Sequence, residues 1–134
     1  MTSKEIKIKQ EDKSASIDYL NKAKDNYRQM LLALENGNFN ATATLAIQCA
    51  ISSADCLCVF EKGIRSISRD HFDACDIIDS ITIPEAKVKA KTLRKIIAKK
   101  NMVQYERRNI FHSEAEELVK LTDRFYHWVK SIVS

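Results

Sequence analysis

Residues Tyr105-Glu106-Arg107-Arg108-Asn109-Ile110-Phe111-His112 set two guanidiniums and an imidazole within one short segment. A guanidinium grips a phosphate through paired N–H donors, and an imidazole moves a proton to or from a hydroxyl near neutral pH. That pairing is able to cleave RNA without a metal. The 2′-hydroxyl is an internal nucleophile, so a protein has mainly to position the phosphate, shuttle protons and stabilise the developing charge. Arg107 and His112 are the residues of this segment that chemistry singles out.

The other titratable groups read more plainly. His71 opens a helix beside Asp70 and Asp73, where a helix N-terminus disfavours a cationic imidazole and a structural hydrogen bond is expected. His127 lies between Tyr126 and Trp128, opposite the apolar stripe of its helix, and reads as a surface residue. Asp55 is the one charge between Phe39 and Phe60. A carboxylate there needs a partner or solvent, and a solvated position at the helix edge is the expectation. Cys49, Cys56, Cys58 and Cys75 have neither C-x-x-C spacing nor a paired histidine arrangement, and read as buried thiols. There is no phosphate-binding glycine loop, no H-E-x-x-H pair, no G-x-S-x-G elbow and no Glu-x-x-His of a metal-storing bundle. No metal or other cofactor is expected.

These residues must be positioned by helices. Ile17, Leu20, Ala23, Tyr27, Met30, Leu31 and Leu34 step by three and four, so a first helix runs from Ser14 to the Glu35-Asn36-Gly37-Asn38 corner. A second helix spans Phe39 to Lys62, apolar nearly all round and therefore central, and Gly63 closes it. A short third helix covers roughly residues 69–81, with Phe72, Cys75, Ile78 and Ile81 inside and Asp73, Asp76 and Asp79 on a solvated outer face. Thr82-Ile83-Pro84-Glu85 reads as a capping box opening a fourth helix. Its stripe is Val88, Leu93, Ile96, Ile97 and Val103, and seven Lys and Arg side chains between Lys87 and Lys100 cover the remainder. Ser113-Glu114-Ala115-Glu116 reads as a second capping box, opening a fifth helix with Leu118, Leu121, Phe125, Trp128, Val129 and Ile132 on its inner face.

Composition agrees with this reading. Two glycines and one proline in 134 residues leave few places for the tight turns a sheet requires. The expected fold is all-α, an antiparallel up-and-down bundle of four long helices and one short one, forming a single domain over residues 14–134 behind a flexible tail at 1–13. A net charge of +4 is compatible with an anionic partner without requiring one. Residues 1–13 lack the apolar core of a signal peptide, and no stretch approaches 18 consecutive apolar residues, so a cytoplasmic protein with no membrane span is expected.

The chain resembles the HEPN family of helical modules. Many of its members carry an arginine followed four to six residues later by a histidine near the start of the last long helix, and Arg107 and His112 look like that motif. The Gly37-Asn38-Phe39-Asn40 corner, the alanine-rich second helix with Asp55, then Arg65-Ser66 and Asp70-His71, follow a similar order. The resemblance covers roughly residues 16–133. It implies a homodimer that brings two motifs together, with Arg107 on the scissile phosphate, His112 handling protons and Asp55 or Arg108 orienting them, as in ribonucleases of toxin–antitoxin or defence systems. Tyr105, Arg108, Asn109, Arg65 and His71 are the implied binding residues for RNA or a nucleotide. A group of small HEPN-like proteins, in which a tyrosine and an arginine precede a capped last helix, also looks similar. Under that likeness Arg108 is the matching arginine, paired with Asp55 or Glu106. The module is then a non-catalytic dimerisation or protein-interaction unit, with a partner such as a nucleotidyltransferase.

Overall fold

The computed structural model of the chain describes residues 5–134, and it is mostly helical. The element order is β1 (Ile8–Gln10), α1 (Ser16–Glu35), α2 (Phe39–Lys62), β2 (Ile64–Ser66), α3 (Phe72–Asp79), α4 (Ala86–Ile97), α5 (Lys100–Tyr105) and α6 (His112–Val133). A helical turn at Lys13–Ala15 leads into α1.

The bounds of α2 are those its sequence predicts, because both ends are punctuated. Gly63 adopts a left-handed φ of 65° and donates its N–H to the Val59 carbonyl, closing the helix. α2 is central, packed against α1, α3, α4, α5, α6 and β2. Ala43, Ala46 and Ala50 are fully buried. Small side chains let neighbouring helices approach closely, while Ile47 and Leu57 fill the space between. By length and composition α2 is apolar enough to cross a membrane, yet most of its apolar window is buried in this core.

α6 lies on α2 through Ala115, Leu118, Phe125 and Val129, all buried, and Thr122 Oγ1 donates 3.2 Å to the Ala46 carbonyl across that contact. Tyr27 of α1 stacks on Tyr126 of α6 at 4.6 Å and donates its hydroxyl to Asp123 at 2.5 Å. Burial and that carboxylate together push the Tyr27 phenol above its ordinary pKa.

Several local expectations change. Residues 1–4 of the expected tail lie outside the described residues, but Ile8–Gln10 form an antiparallel pair with Ile64–Ser66, in the register Ile8↔Ser66 and Gln10↔Ile64. Backbone bonds Glu11 N–H to Gly63 and Ile67 N–H to Lys7 extend the ribbon at both ends. On α3 the faces are rotated from expectation, with Asp73 buried at 1% exposure and Phe72 exposed. The helix starts only at Phe72, where the Asp70 carboxylate accepts its N–H at 2.9 Å. Asp76 is an ion-pair partner of Arg94, and Asp79 lies 3.7 Å from Lys87, so the acidic edge of α3 meets the basic edge of α4. The buried stripe of α4 is Ala86, Ala90, Leu93 and Ile97 at helical spacing with Ile96, which leaves Val88 63% exposed.

The capping box at Thr82–Glu85 does not form. Glu85 has φ 69° and stands just outside α4, so it is not the third residue of a first turn. A non-glycine residue there is strained, because its Cβ crowds its own backbone. Glu85→Gly is expected to raise unfolding stability by a few tenths to about 1 kcal/mol, and Glu85→Val to lower it, in urea denaturation. A drop for Glu85→Gly would show that the side chain holds the turn. The fourth helix also divides in two, ending at Ile97 and resuming at Lys100, with the Lys99 N–H reaching back only three residues to Ile96.

Candidate functional site

The loop from Glu106 to Phe111 joins α5 to α6, and one carboxylate organises it. Glu114, in the first turn of α6, accepts the Phe111 N–H at 2.9 Å through Oε1. The same carboxylate takes a fork of two bonds from Arg108, Nη1 to Oε1 at 2.8 Å and Nη2 to Oε2 at 2.6 Å. Arg108 and the Phe111 N–H hold the Glu114 carboxyl down to about 2. The helix is thus capped by Glu114 and Phe111, in place of the expected pair Ser113 and Glu116. The partner of Arg108 is likewise Glu114, and neither Asp55 nor Glu106. Six residues of loop let the chain double back, which brings this pair together.

Asn40 ties the loop to the start of α2. Its Nδ2 donates to Asn109 Oδ1 at 3.1 Å, and its Oδ1 accepts the Ile110 N–H at 2.8 Å. Ile110 is buried beneath this bracket. A cavity of about 480 Å³ opens beside it, lined by Asn38, Phe39, Asn40, Asn109 and Ile110.

His112 is the first residue of α6. Its ring stacks on Phe39 with centroids 4.7 Å apart and 13° between planes, and Nε2 lies 2.9 Å from Glu116 Oε1. One nitrogen and one face are therefore engaged while the other nitrogen is open. Arg107 is exposed and has no hydrogen bond or ion pair among the described residues. Tyr105 and Phe111 of the same segment are 73% and 65% exposed, with Lys100 Nζ 5.7 Å from the Tyr105 centroid and the Arg108 guanidinium 5.3 Å from the Phe111 centroid. No bond joins Arg107 to His112.

Asp55 belongs to a different place. With Arg65, Ser66, Ser68 and His71 it lines a cavity of about 370 Å³ between α2, β2 and the chain leading into α3. Asp55 is half-buried, faces two open cavities and forms no hydrogen bond or ion pair among the described residues. Burial raises its carboxyl to about 6, against the opposing pull of Arg65. Arg65 lies 3.4 Å through Nε from Glu11 Oε2, with its guanidinium 5.5 Å from the Tyr19 ring, and that buried Nε makes no hydrogen bond among the described residues. Glu11 is fixed in turn by the Tyr19 hydroxyl at 2.5 Å. The β1–β2 ribbon carries Glu11 to Arg65. His71 takes no capping hydrogen bond, and burial followed by the charge of Lys100 lowers its pKa.

The structure therefore divides the sequence candidates into two groups. Tyr105, Arg107, Arg108, Asn109 and His112 lie on or beside the α5–α6 loop, and Asp55, Arg65 and His71 surround the cleft. Glu11, Tyr19 and Lys22, which lie against Arg65 or line the adjoining cavity, are marked by no motif. His127 is exposed, bonded through Nδ1 to the Asp123 carbonyl at 3.0 Å. The four cysteines are buried and free, and burial pushes Cys49 and Cys75 up to about 12. Among the described residues no group of three His, Cys, Asp or Glu side chains converges as a metal site would. No family model matches this chain, and neither does any curated protein or solved structure.

Proposed function

We propose that the α5–α6 loop binds single-stranded RNA and cleaves it at a phosphate held by Arg107, with His112 transferring the proton. The observation that carries this reading is the loop's division of labour. Glu114, the Asn109 carbonyl and the Phe111 ring engage Arg108, which leaves Arg107 as the guanidinium of this segment with no bond among the described residues, in a stretch that also exposes Tyr105 and Phe111. Aromatic faces beside a basic group take stacked bases without regard to sequence. His112 adds an imidazole oriented by Phe39 and Glu116, which is the arrangement a proton-transfer group needs.

On this reading the helices form a HEPN-like bundle of four long elements and one short one, with α4 and α5 together as the fourth. The protein is a homodimer in which a second loop faces the first across the two-fold axis. A dimer supplies the enclosure that a single exposed loop lacks.

Binding of a fluorescent oligouridylate, followed by anisotropy, tests the reading. Affinity is expected to fall steeply between low and moderate salt, as counterion release dictates. Tyr105→Ala is expected to cost about 1–3 kcal/mol of binding. Arg107→Ala is expected to reduce the salt slope as well as the affinity. Salt-independent binding, or binding unchanged in both variants, would overturn it.

The absence of a bond between Arg107 and His112 favours a second reading, a non-catalytic module that binds RNA or a partner protein such as a nucleotidyltransferase. Under it the same oligonucleotide binds and is not cut.

A further inference from the structure

The lysines of α4 are arranged in a row. Lys87, Lys91, Lys95 and Lys99 stand four residues apart, and all four are exposed. Residues four apart lie one above the other on a helix, so the row runs along the side of α4 turned away from its buried stripe of Ala86, Ala90, Leu93 and Ile97. Lys99, in the turn that joins α4 to α5, keeps helical backbone angles and continues the row. Successive members are about 6 Å apart along the axis, because each residue rises about 1.5 Å.

The charge of this face is of one sign. α4 contains no Asp or Glu, whereas α1 mixes Asp18 and Asp25 with Lys22 and Arg28, as solvated helices ordinarily do. Asp76 takes Arg94, and Asp79 lies 3.7 Å from Lys87, both on the side of α4 that meets α3. Lys87 and Asp79 are so exposed that their pair is weak. The ammonium groups of Lys91, Lys95 and Lys99 make no hydrogen bond or ion pair among the described residues. Like charges four apart repel, so the row weakens the helix that bears it.

The row also ends beside the α5–α6 loop. Lys99 lines a cavity of about 190 Å³ together with Glu114 and Glu117, and Glu114 is already held by Arg108 and the Phe111 N–H. The next residue, Lys100, places its ammonium 5.7 Å from the Tyr105 centroid.

We propose that this row is a track for the phosphate backbone of a longer single-stranded RNA, which runs along α4 and enters the α5–α6 loop past Lys99. The inference rests on the loop reading for the end of the strand that reaches Arg107. Evenly spaced cations on one line match a chain of evenly spaced single charges, which a nucleic acid strand presents. Lysine ammonium groups act as point charges, suited to backbone contacts that position a strand without reading its bases. An anionic lipid surface would call for apolar side chains that enter the bilayer, and the only large one that α4 exposes is Val88.

Binding of fluorescent tetrauridylate and of a sixteen-nucleotide oligouridylate to the full chain, followed by anisotropy across a range of salt, tests the proposal. The variant Lys91→Gln/Lys95→Gln/Lys99→Gln keeps good helix formers in place. It is expected to bind the longer RNA at least about ten-fold more weakly at low salt. Loss of three single-strand contacts, at about 0.7 each, is expected to lower its slope of log affinity against log salt by about two. Tetrauridylate, which the loop alone holds, is expected to bind it as it binds the wild type. The control Lys7→Gln/Lys24→Gln/Lys130→Gln removes the same charge from exposed lysines elsewhere and is expected to bind both RNAs normally. Unchanged binding of the longer RNA by the α4 variant, or an equal loss in the control, would overturn the track. So would an α4 variant that keeps the RNA and loses only adsorption to phosphatidylserine vesicles. Arg107→Ala separates the two readings: if it leaves tetrauridylate binding intact while the α4 variant still loses the longer RNA, the loop reading fails and the track stands.

Discussion

His112→Ala is expected to slow cleavage of single-stranded RNA by about 10²–10⁴-fold, the range that a positioned proton-transfer group supplies. The ring that is lost is held on two sides, by the stack on Phe39 and by the contact of Nε2 with Glu116 at 2.9 Å. Its other nitrogen carries no bond among the described residues and, in the proposed reaction, serves the phosphate held by Arg107. Cleavage by the wild type is expected to persist in EDTA, since the attacking 2′-hydroxyl belongs to the substrate. Added imidazole is expected to restore part of the rate to His112→Ala, which a change that merely loosened α6 would not allow. Arg107→Lys is expected to remain slow, because an ammonium is a point charge that cannot reproduce the two-pronged grip. The measurement is the cleavage rate of labelled RNA for the three proteins. Equal rates for wild type and His112→Ala, or no cleavage by either, would leave only the non-catalytic binding module.

What the sequence discloses depends on how local the determinant is. α2 is legible to the residue because Asn38 and Gly63 mark its ends, and α6 is legible in its apolar spacing from Leu118 onward. The β1–β2 ribbon is not. Each strand has three residues, too few for a period of two to stand out, and the pairing joins positions more than fifty residues apart. The interruption between α4 and α5 at Ala98 and Lys99 carries neither glycine nor proline, so nothing in composition marks it. Both capping boxes were suggested by a Ser or Thr three residues before a Glu, a spacing that says nothing about backbone angle. Glu85 lies in the left-handed region, and Glu114 does the capping at the start of α6. In the loop, Arg107, Arg108 and His112 could be singled out by type. Which arginine is free could not, because that depends on Glu114 folding back across the turn. The cleft is the least legible part, since Glu11, Tyr19, Lys22, Asp55 and Arg65 come from four separate segments and meet only through tertiary packing.

Asp55→Asn is expected to stabilise the fold near neutral pH by about 1–3 kcal/mol, and to lose that advantage in acid. Asp55 is an ionisable group on the central helix, and burial raises its carboxyl from an ordinary 3.8 to about 6. Arg65 from β2 and Lys22 from α1 pull it down, and Glu11 pushes it up. His71, whose own pKa is lowered by burial and Lys100, shares the cavity. Because the folded value lies above the unfolded one, the fold favours the protonated form. That contribution is fully present below about 4 and is lost as pH rises through about 6. Above that point the wild type carries a buried charge that asparagine does not. Glu114, lowered to about 2, acts in the opposite sense, so the pH profile of the wild type alone mixes the two. The difference between wild type and Asp55→Asn isolates Asp55, and urea titrations across the acid range measure it. A difference independent of pH, or a less stable variant at neutral pH, would show that Asp55 is a structural anchor. A carboxylate that destabilises the helix holding it is not kept for the fold.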